Sequence, residues 1–293
     1  MTRRITKVLV CVAGLICVVL TLWVLLASNH FQAVNESAKQ FFTSTDCSVL
    51  TDKYKRMQCM RPEIEALVLQ DSAQASLDYV YILQNEGVIS DCHVPAHWIG
   101  AKNLEKYQGD GGQAFMNCAQ GCIEGCYHGV IEAYAEYVGA DQIIEMCNSF
   151  QSQDSLLYRQ CLHGLGHGLM RFEARSVDEA KSMCRSMDDQ FKTDTCVSGA
   201  LMEFMDPYIA DGIEVFRTYL PTLCEGKDMS SRLSCAGTVG YGAMVVSGHD
   251  TTKALELCTL LKENILIQKC KDSVYKEEKL NTEDLNAHFD TRL

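Results

Sequence analysis

The 293 residues carry 26 Lys and Arg against 38 Asp and Glu, a formal net charge of −12, and include 16 cysteines. So acidic a chain is repelled by phosphate backbones, which excludes nucleic acid as its main partner. The even, dense set of cysteines implies disulfides and an oxidising compartment; no CxxC pair at zinc spacing and no CxxCH haem-attachment signal is present.

Residues 1–7, MTRRITK, precede VLVCVAGLICVVLTLWVLLA at 8–27, a run without a charge. Twenty such residues rising about 1.5 Å each cover the roughly 30 Å hydrocarbon core of a bilayer. The run is longer than the roughly 7–15 apolar residues of a cleaved signal peptide, although "LLAS" offers a cut after Ala27. Arg3, Arg4 and Lys7 keep the N-terminus cytoplasmic. The expectation is a single-pass signal anchor held by the lipid bilayer at 8–27. A juxtamembrane linker follows at 28–45, and the bulk of the chain is periplasmic, lumenal or extracellular. Cys11 and Cys17 fall in the anchor, leaving 14 of the 16 cysteines beyond it.

Residues 46–275 form a cysteine-rich domain. Cys47 and Cys59 stand 12 apart, while Cys92, Cys118, Cys122 and Cys126 allow three pairings among which spacing does not choose. "GDGG" at 109–112 reads as a turn. Cys126, Cys161 and Cys196 are then separated by 35 and 35 residues, and Cys235 and Cys270 follow at 39 and 35. The segments they open, "CYHGVIEAY", "CLHGLGHGLM", "CVSGALMEF" and "CAGTVGYGAM", continue with small residues and an apolar face. Short stretches closed by Cys147, Cys184, Cys224 and Cys258 interleave with them. Ser176 with Glu179 makes a capping box, and Asp141 and Asp250 are expected N-caps, so these stretches read as short helices.

The expected fold is all-α: a disulfide-stapled α/α helical-hairpin repeat, solenoid-like, with a period of about 35 residues. A closing cysteine and the next opening one lie 11–14 positions apart, which predicts Cys147–Cys161, Cys184–Cys196, Cys224–Cys235 and Cys258–Cys270. Cys47–Cys59 fits the same rule. Each staple is worth about 3 kcal/mol by closing a loop of this size. The charged tail 276–293 is expected to be a frayed helix or a disordered end.

The histidines keep the same phase. His93, His128 and His163 are 35 apart (128 − 93, 163 − 128), and so are His97, Glu132 and His167 (132 − 97, 167 − 132). Side chains at i and i+4 share a helix face, so each pair can grip one ion. The next segment carries Ser198 and Met202 instead, with Glu203 alongside. Gly129, Gly164 and Gly199 recur beside them, where a missing Cβ permits close approach. Imidazole and carboxylate suit Zn, Fe, Cu or Mn, and haem is a further candidate.

Packed helices lie about 8–10 Å apart, so a straight array would separate the first and third pairs by roughly 16–20 Å. The preferred site is therefore one junction, His128 and Glu132 with His163 and His167, with His93 and His97 forming a second. Glu132 and Glu203 are the carboxylates available for catalysis. Two functions fit: a membrane-anchored metal-binding protein, extending to a metalloenzyme, or a scaffold presenting its concave face to a peptide or protein, with a structural histidine ladder.

Overall fold

Capping side chains set where most helices begin. Asp52 receives the Lys55 N–H (3.0 Å) at the start of α1 (Lys53–Gln70), and Ser72 the Ala75 N–H at α2 (Ala73–Asn85). Then come α3 (His93–Lys106), α4 (Gly111–Met116) capped by Asp110, α5 (Gly125–Tyr134) and α6 (Ala140–Phe150). Asp154 opens α7 (Ser155–Gly168), and Ser176 opens α8 (Val177–Arg185) by accepting from the Glu179 N–H at 3.2 Å. After α9 (Gln190–Ala210), α10 (Ile213–Leu223) and α11 (Met229–Val246), Asp250 caps α12 (Thr251–Cys258), and α13 (Asn264–Asp290) completes the series. Asp141 is not a cap: the extended residue is Gly139, and Asp141 lies in the first turn, where its charge faces the positive end of the helix.

These elements come from a computed structural model that describes residues 46–290, apart from 153, 175, 188, 211 and 226–228. The apolar run 8–27 and the linker 28–45 lie outside the described residues. Among the described residues there is no strand, and no helix is long and apolar enough to cross a membrane.

The odd-numbered helices from α3 onward pack in chain order, α3 on α5, α5 on α7, α7 on α9, α9 on α11 and α11 on α13. The shorter α6, α8, α10 and α12 lie against α7, α9, α11 and α13 respectively, with α12 also touching α11. The succession closes on itself. Helix α13 reaches α2 and the tight turn Cys122–Glu124, Gln84 Nε2 donates to Asn281 Oδ1 at 2.7 Å, and His249 lies 3.5 Å from Asp91. The tail thus continues α13 across residue 276 without a break.

Among the described residues, seven disulfides staple this arrangement. Cys47–Cys59, Cys147–Cys161, Cys184–Cys196, Cys224–Cys235 and Cys258–Cys270 are bonded, as their spacing suggests. Of the three arrangements open to the other four cysteines, the chain adopts Cys92–Cys122 with Cys118–Cys126.

Glycine controls how closely the helices meet. A Cβ on Gly100 of α3 would collide with the Cys126 carbonyl of α5, and one on Gly129 of α5 with the His97 carbonyl of α3. The same reciprocal contact joins α7 to α9, Gly166 against the Cys196 carbonyl and Gly199 against the His163 carbonyl. Backbone therefore touches backbone beside the histidines, an approach no larger residue allows. Gly129→Ala or Gly199→Ala is expected to cost about 1–3 kcal/mol through overpacking. Gly112→Ala, in the first turn of α4 with only Asp110 Oδ1 near (3.5 Å), should leave stability unchanged or slightly raised. Urea denaturation of the three variants checks the contrast.

A candidate metal centre of five histidines

Helix α3 begins at His93, whose backbone N–H is held at 3.0 Å by Asp91 Oδ1. His97 follows one turn later on the same face. Their Nε2 atoms are 3.2 Å apart, and in α7 those of His163 and His167 are 3.3 Å apart. His128 of α5 lies between the pairs, its ring centroid 5.6 Å from His93, 5.4 Å from His97, 4.4 Å from His163 and 6.0 Å from His167. The His97 and His167 rings are themselves 4.9 Å apart.

The partners of the opposite ring nitrogens assign the tautomers. His93 Nδ1 faces the Cys122 carbonyl at 3.0 Å and His97 Nδ1 faces Glu132 Oε2 at 3.1 Å; both oxygens only accept, so both Nδ1 atoms carry the proton. His167 Nδ1 lies 3.2 Å from Glu203 Oε2, an oxygen that accepts when this carboxyl is ionised and can donate when it is protonated. Ser198 gives its hydroxyl proton to the Thr195 carbonyl (2.7 Å) and accepts from His163 Nδ1 at 2.8 Å. In the α3 pair, then, two bare lone pairs confront one another with no proton to share, and the α7 pair does the same when Glu203 is ionised. His128 donates from Nε2 to Gln160 Oε1 at 2.6 Å, and its Nδ1 is buried without a hydrogen-bond partner. Five lone pairs are aimed inward.

A cation satisfies this geometry. Nitrogens about 2.0–2.1 Å from one ion and at a tetrahedral angle stand about 3.3–3.4 Å apart, close to both observed separations. Three sets of donor atoms lie within 4.8 Å of one another: His93, His97 and His128; His128, His163 and His167; and His97, Glu132 and His167. Of the junction expected from a straight array, His128, His163 and His167 come together, while Glu132 joins His97 and His167. Because the helices curve back on themselves, α3 and α7 meet, and Glu132 reaches His97 and His167 rather than the His128 of its own helix.

Electrostatics agree with this donor set. Burial, reinforced by the charge of His97, drops His93 to about 4. Burial and the neighbouring imidazoles push His128, His163 and His167 well below their ordinary value, so all stay neutral and able to ligate. Burial works to raise the Glu132 carboxyl, but His97 and Arg171 outweigh it and hold it low. Glu203, buried and beside the Glu132 and Asp206 charges, is pushed up to about 9. Arg171 bridges both carboxylates, pairing with Glu132 and lying 3.5 Å from Glu203.

Sequence spacing did not single out Arg171, Gln160 or Tyr241. Arg171 is four residues beyond His167, where the helix widens to a π-turn over Leu169–Glu173; such turns recur at functional sites. The Tyr241 ring of α11 is 6.0 Å from His93. A cavity of about 600 Å³ opens here, with His97, Glu132, His167, Arg171, Glu203 and Tyr241 in its lining. His249 is outside the five-histidine set, and His288 lies where side chains are not described.

No family model matches the chain, and no curated protein or solved structure does either. Chemistry at the site must carry the functional reading.

Acid tests the neutral, buried state of the imidazoles. Unfolded histidines protonate from about pH 6.5, whereas the folded His93 does so only near 4. The unfolded chain takes up protons first, so stability falls as pH drops through that window. Glu203, Asp206 and Glu277, whose carboxyls burial pushes up, act in the opposite sense, but they are three against four imidazoles and Asp206 rises only to about 6. The urea midpoint of metal-free protein is expected to be lower at pH 5 than at pH 7.5, and His163→Gln/His167→Gln should narrow the difference. A flat profile would contradict this assignment.

Proposed function

We propose that the chain is an extracytoplasmic metal protein, tethered to the bilayer by residues 8–27, whose imidazoles bind a divalent transition metal beside a cavity of small-molecule size. One observation carries the reading. Within the His93 and His97 pair two unprotonated Nε2 atoms lie 3.2 Å apart, and those of His163 and His167 lie 3.3 Å apart, an arrangement that repels without a cation and coordinates with one. A purely structural ladder would need a proton between the rings, and in the α3 pair the Nδ1 partners hold the protons elsewhere.

Imidazole with nearby carboxylate fits Zn, Fe, Cu or Mn. The paired Nε2 atoms suit adjacent coordination positions on one ion, whereas two axial histidines on haem would occupy opposite faces of the ring, so a bare ion is the better match. Glu132 and Glu203 act mainly as positioning residues here, orienting His97 and His167 and raising their basicity. The cavity falls within the about 300–1,000 Å³ range of ligand sites and extends the reading to a hydrolytic or oxidative metalloenzyme.

The tandem architecture belongs to the same proposal. Support for a hairpin repeat of about 35 residues comes from the cysteine spacing, the chain-order packing of the longer helices and the recurring glycine contacts. The disulfides favour an oxidising compartment.

Metal content is the direct test. Full-length protein purified without chelator or His tag should contain a stoichiometric transition metal, and His163→Ala/His167→Ala should lose it in part or whole while keeping its helicity. Glu132→Gln should weaken affinity about 10–100-fold by removing the carboxylate behind His97. A parent chain that stays metal-free after reconstitution with Zn, Cu, Mn and Fe(II) would refute the reading.

A further inference from the structure

The centre is built twice. His93 and His163 are 70 residues apart (163 − 93), as are His97 and His167 (167 − 97) and Gly129 and Gly199 (199 − 129), and Glu132 and Glu203 are 71 apart (203 − 132). The duplication extends to contacts. In α3 and in α7, the first histidine sets Nδ1 against an oxygen, and the second sets Nδ1 against a glutamate on the next helix in the packing order, α5 and α9 respectively. In both cases that following helix is seated by a reciprocal pair of glycine-on-carbonyl contacts.

The third long pair, α11 with α13, keeps the close approach, Gly240 lying against the Cys270 carbonyl. Counting two and six residues from Cys235, as His163 and His167 count from Cys161, gives Gly237 and Tyr241. The third unit therefore supplies a phenol where the other two supply an imidazole pair.

We propose that the centre holds two divalent cations, one at His93 and His97 and the other at His163 and His167. This rests on the metal reading above and deepens it. Each ion has two imidazoles of its own. His128 is the shared neighbour: it belongs to both histidine triads within 4.8 Å, yet its single Nδ1 lone pair can complete only one coordination sphere at a time. The other ion keeps a position that solvent or a ligand in the cavity can fill. His97 and His167, one from each pair, both line that cavity, so a molecule entering it meets both ions. Two neighbouring ions can clamp the attacking and leaving oxygens of an ester or phosphoester, which makes an oxyanionic substrate the class that this geometry favours. Arg171, half exposed at the cavity and next to both glutamates, would meet the same negative charge.

The test is a count. Metal-free full-length protein is titrated with Zn(II), and the bound metal per chain is measured by elemental analysis, with Co(II) absorption as a parallel readout. The parent is expected to saturate at two equivalents. His93→Ala/His97→Ala and His163→Ala/His167→Ala should each retain one, with helicity and disulfide content unchanged. A parent that saturates at one equivalent, or a pair variant that loses both, would overturn the two-ion centre and leave the metal reading standing. A parent that binds neither metal would bring down both. The parent titration decides the matter even where a variant fails to fold.

Discussion

Two helices can bring backbone against backbone only where neither interposes a Cβ, and the histidine centre is arranged around four such places. Gly100, Gly129, Gly166 and Gly199 let α3 meet α5 and α7 meet α9 at the carbonyls of Cys126, His97, Cys196 and His163. Glycine inside a helix costs about 1 kcal/mol against alanine, so four of them are tolerable only if close approach gains more elsewhere. What it gains is position. Drawing the helices together directs five imidazoles into one volume and puts each glutamate behind a histidine of the preceding helix.

That gathering creates an electrostatic problem which the protein alone does not solve. A buried polar atom without a partner costs about 1–3 kcal/mol, and here His128 Nδ1 has none while the Nε2 atoms of His93 and His97 present lone pair to lone pair. On the far side of the rings, Glu132, Glu203 and Asp206 crowd around Arg171, and Glu203 is driven towards its neutral form. Both tensions have one sign. Inward lone pairs and surplus carboxylate charge are each relieved by positive charge at the centre, and neither would be relieved by an anion or an apolar ligand.

Much of this was legible in the sequence because phase along a chain survives folding. A 35-residue recurrence of cysteine, histidine and glycine states which residues hold equivalent positions, and five of the seven disulfides follow from local spacing alone. Curvature was not legible. It depends on how far each helix rotates against the next, a sum over many small contacts, and a straight array places His93 and His97 out of reach of His167. The other two disulfides escaped for a related reason: Cys92 and Cys122 are 30 residues apart, joined through the turn at Cys122–Glu124, where three consecutive non-glycine residues take positive φ. Gln160 and Arg171 carry no periodic signal, since each serves a particular side chain rather than a repeating helix contact.

The disulfides sit close to the ligands they brace. Cys92 immediately precedes His93, Cys126 lies two residues before His128, and Cys161 two before His163, so every histidine-bearing helix is covalently fixed at the turn where its first ligand emerges. Small metal domains commonly fold around their ion and collapse without it. Here the disulfides fix the cage independently of any ion, so that an ion would enter a frame already made. Such a centre behaves as a rigid chelator: it discriminates among cations by the mismatch between their preferred bond lengths and a fixed set of donors, and it can release its metal and still be the same protein.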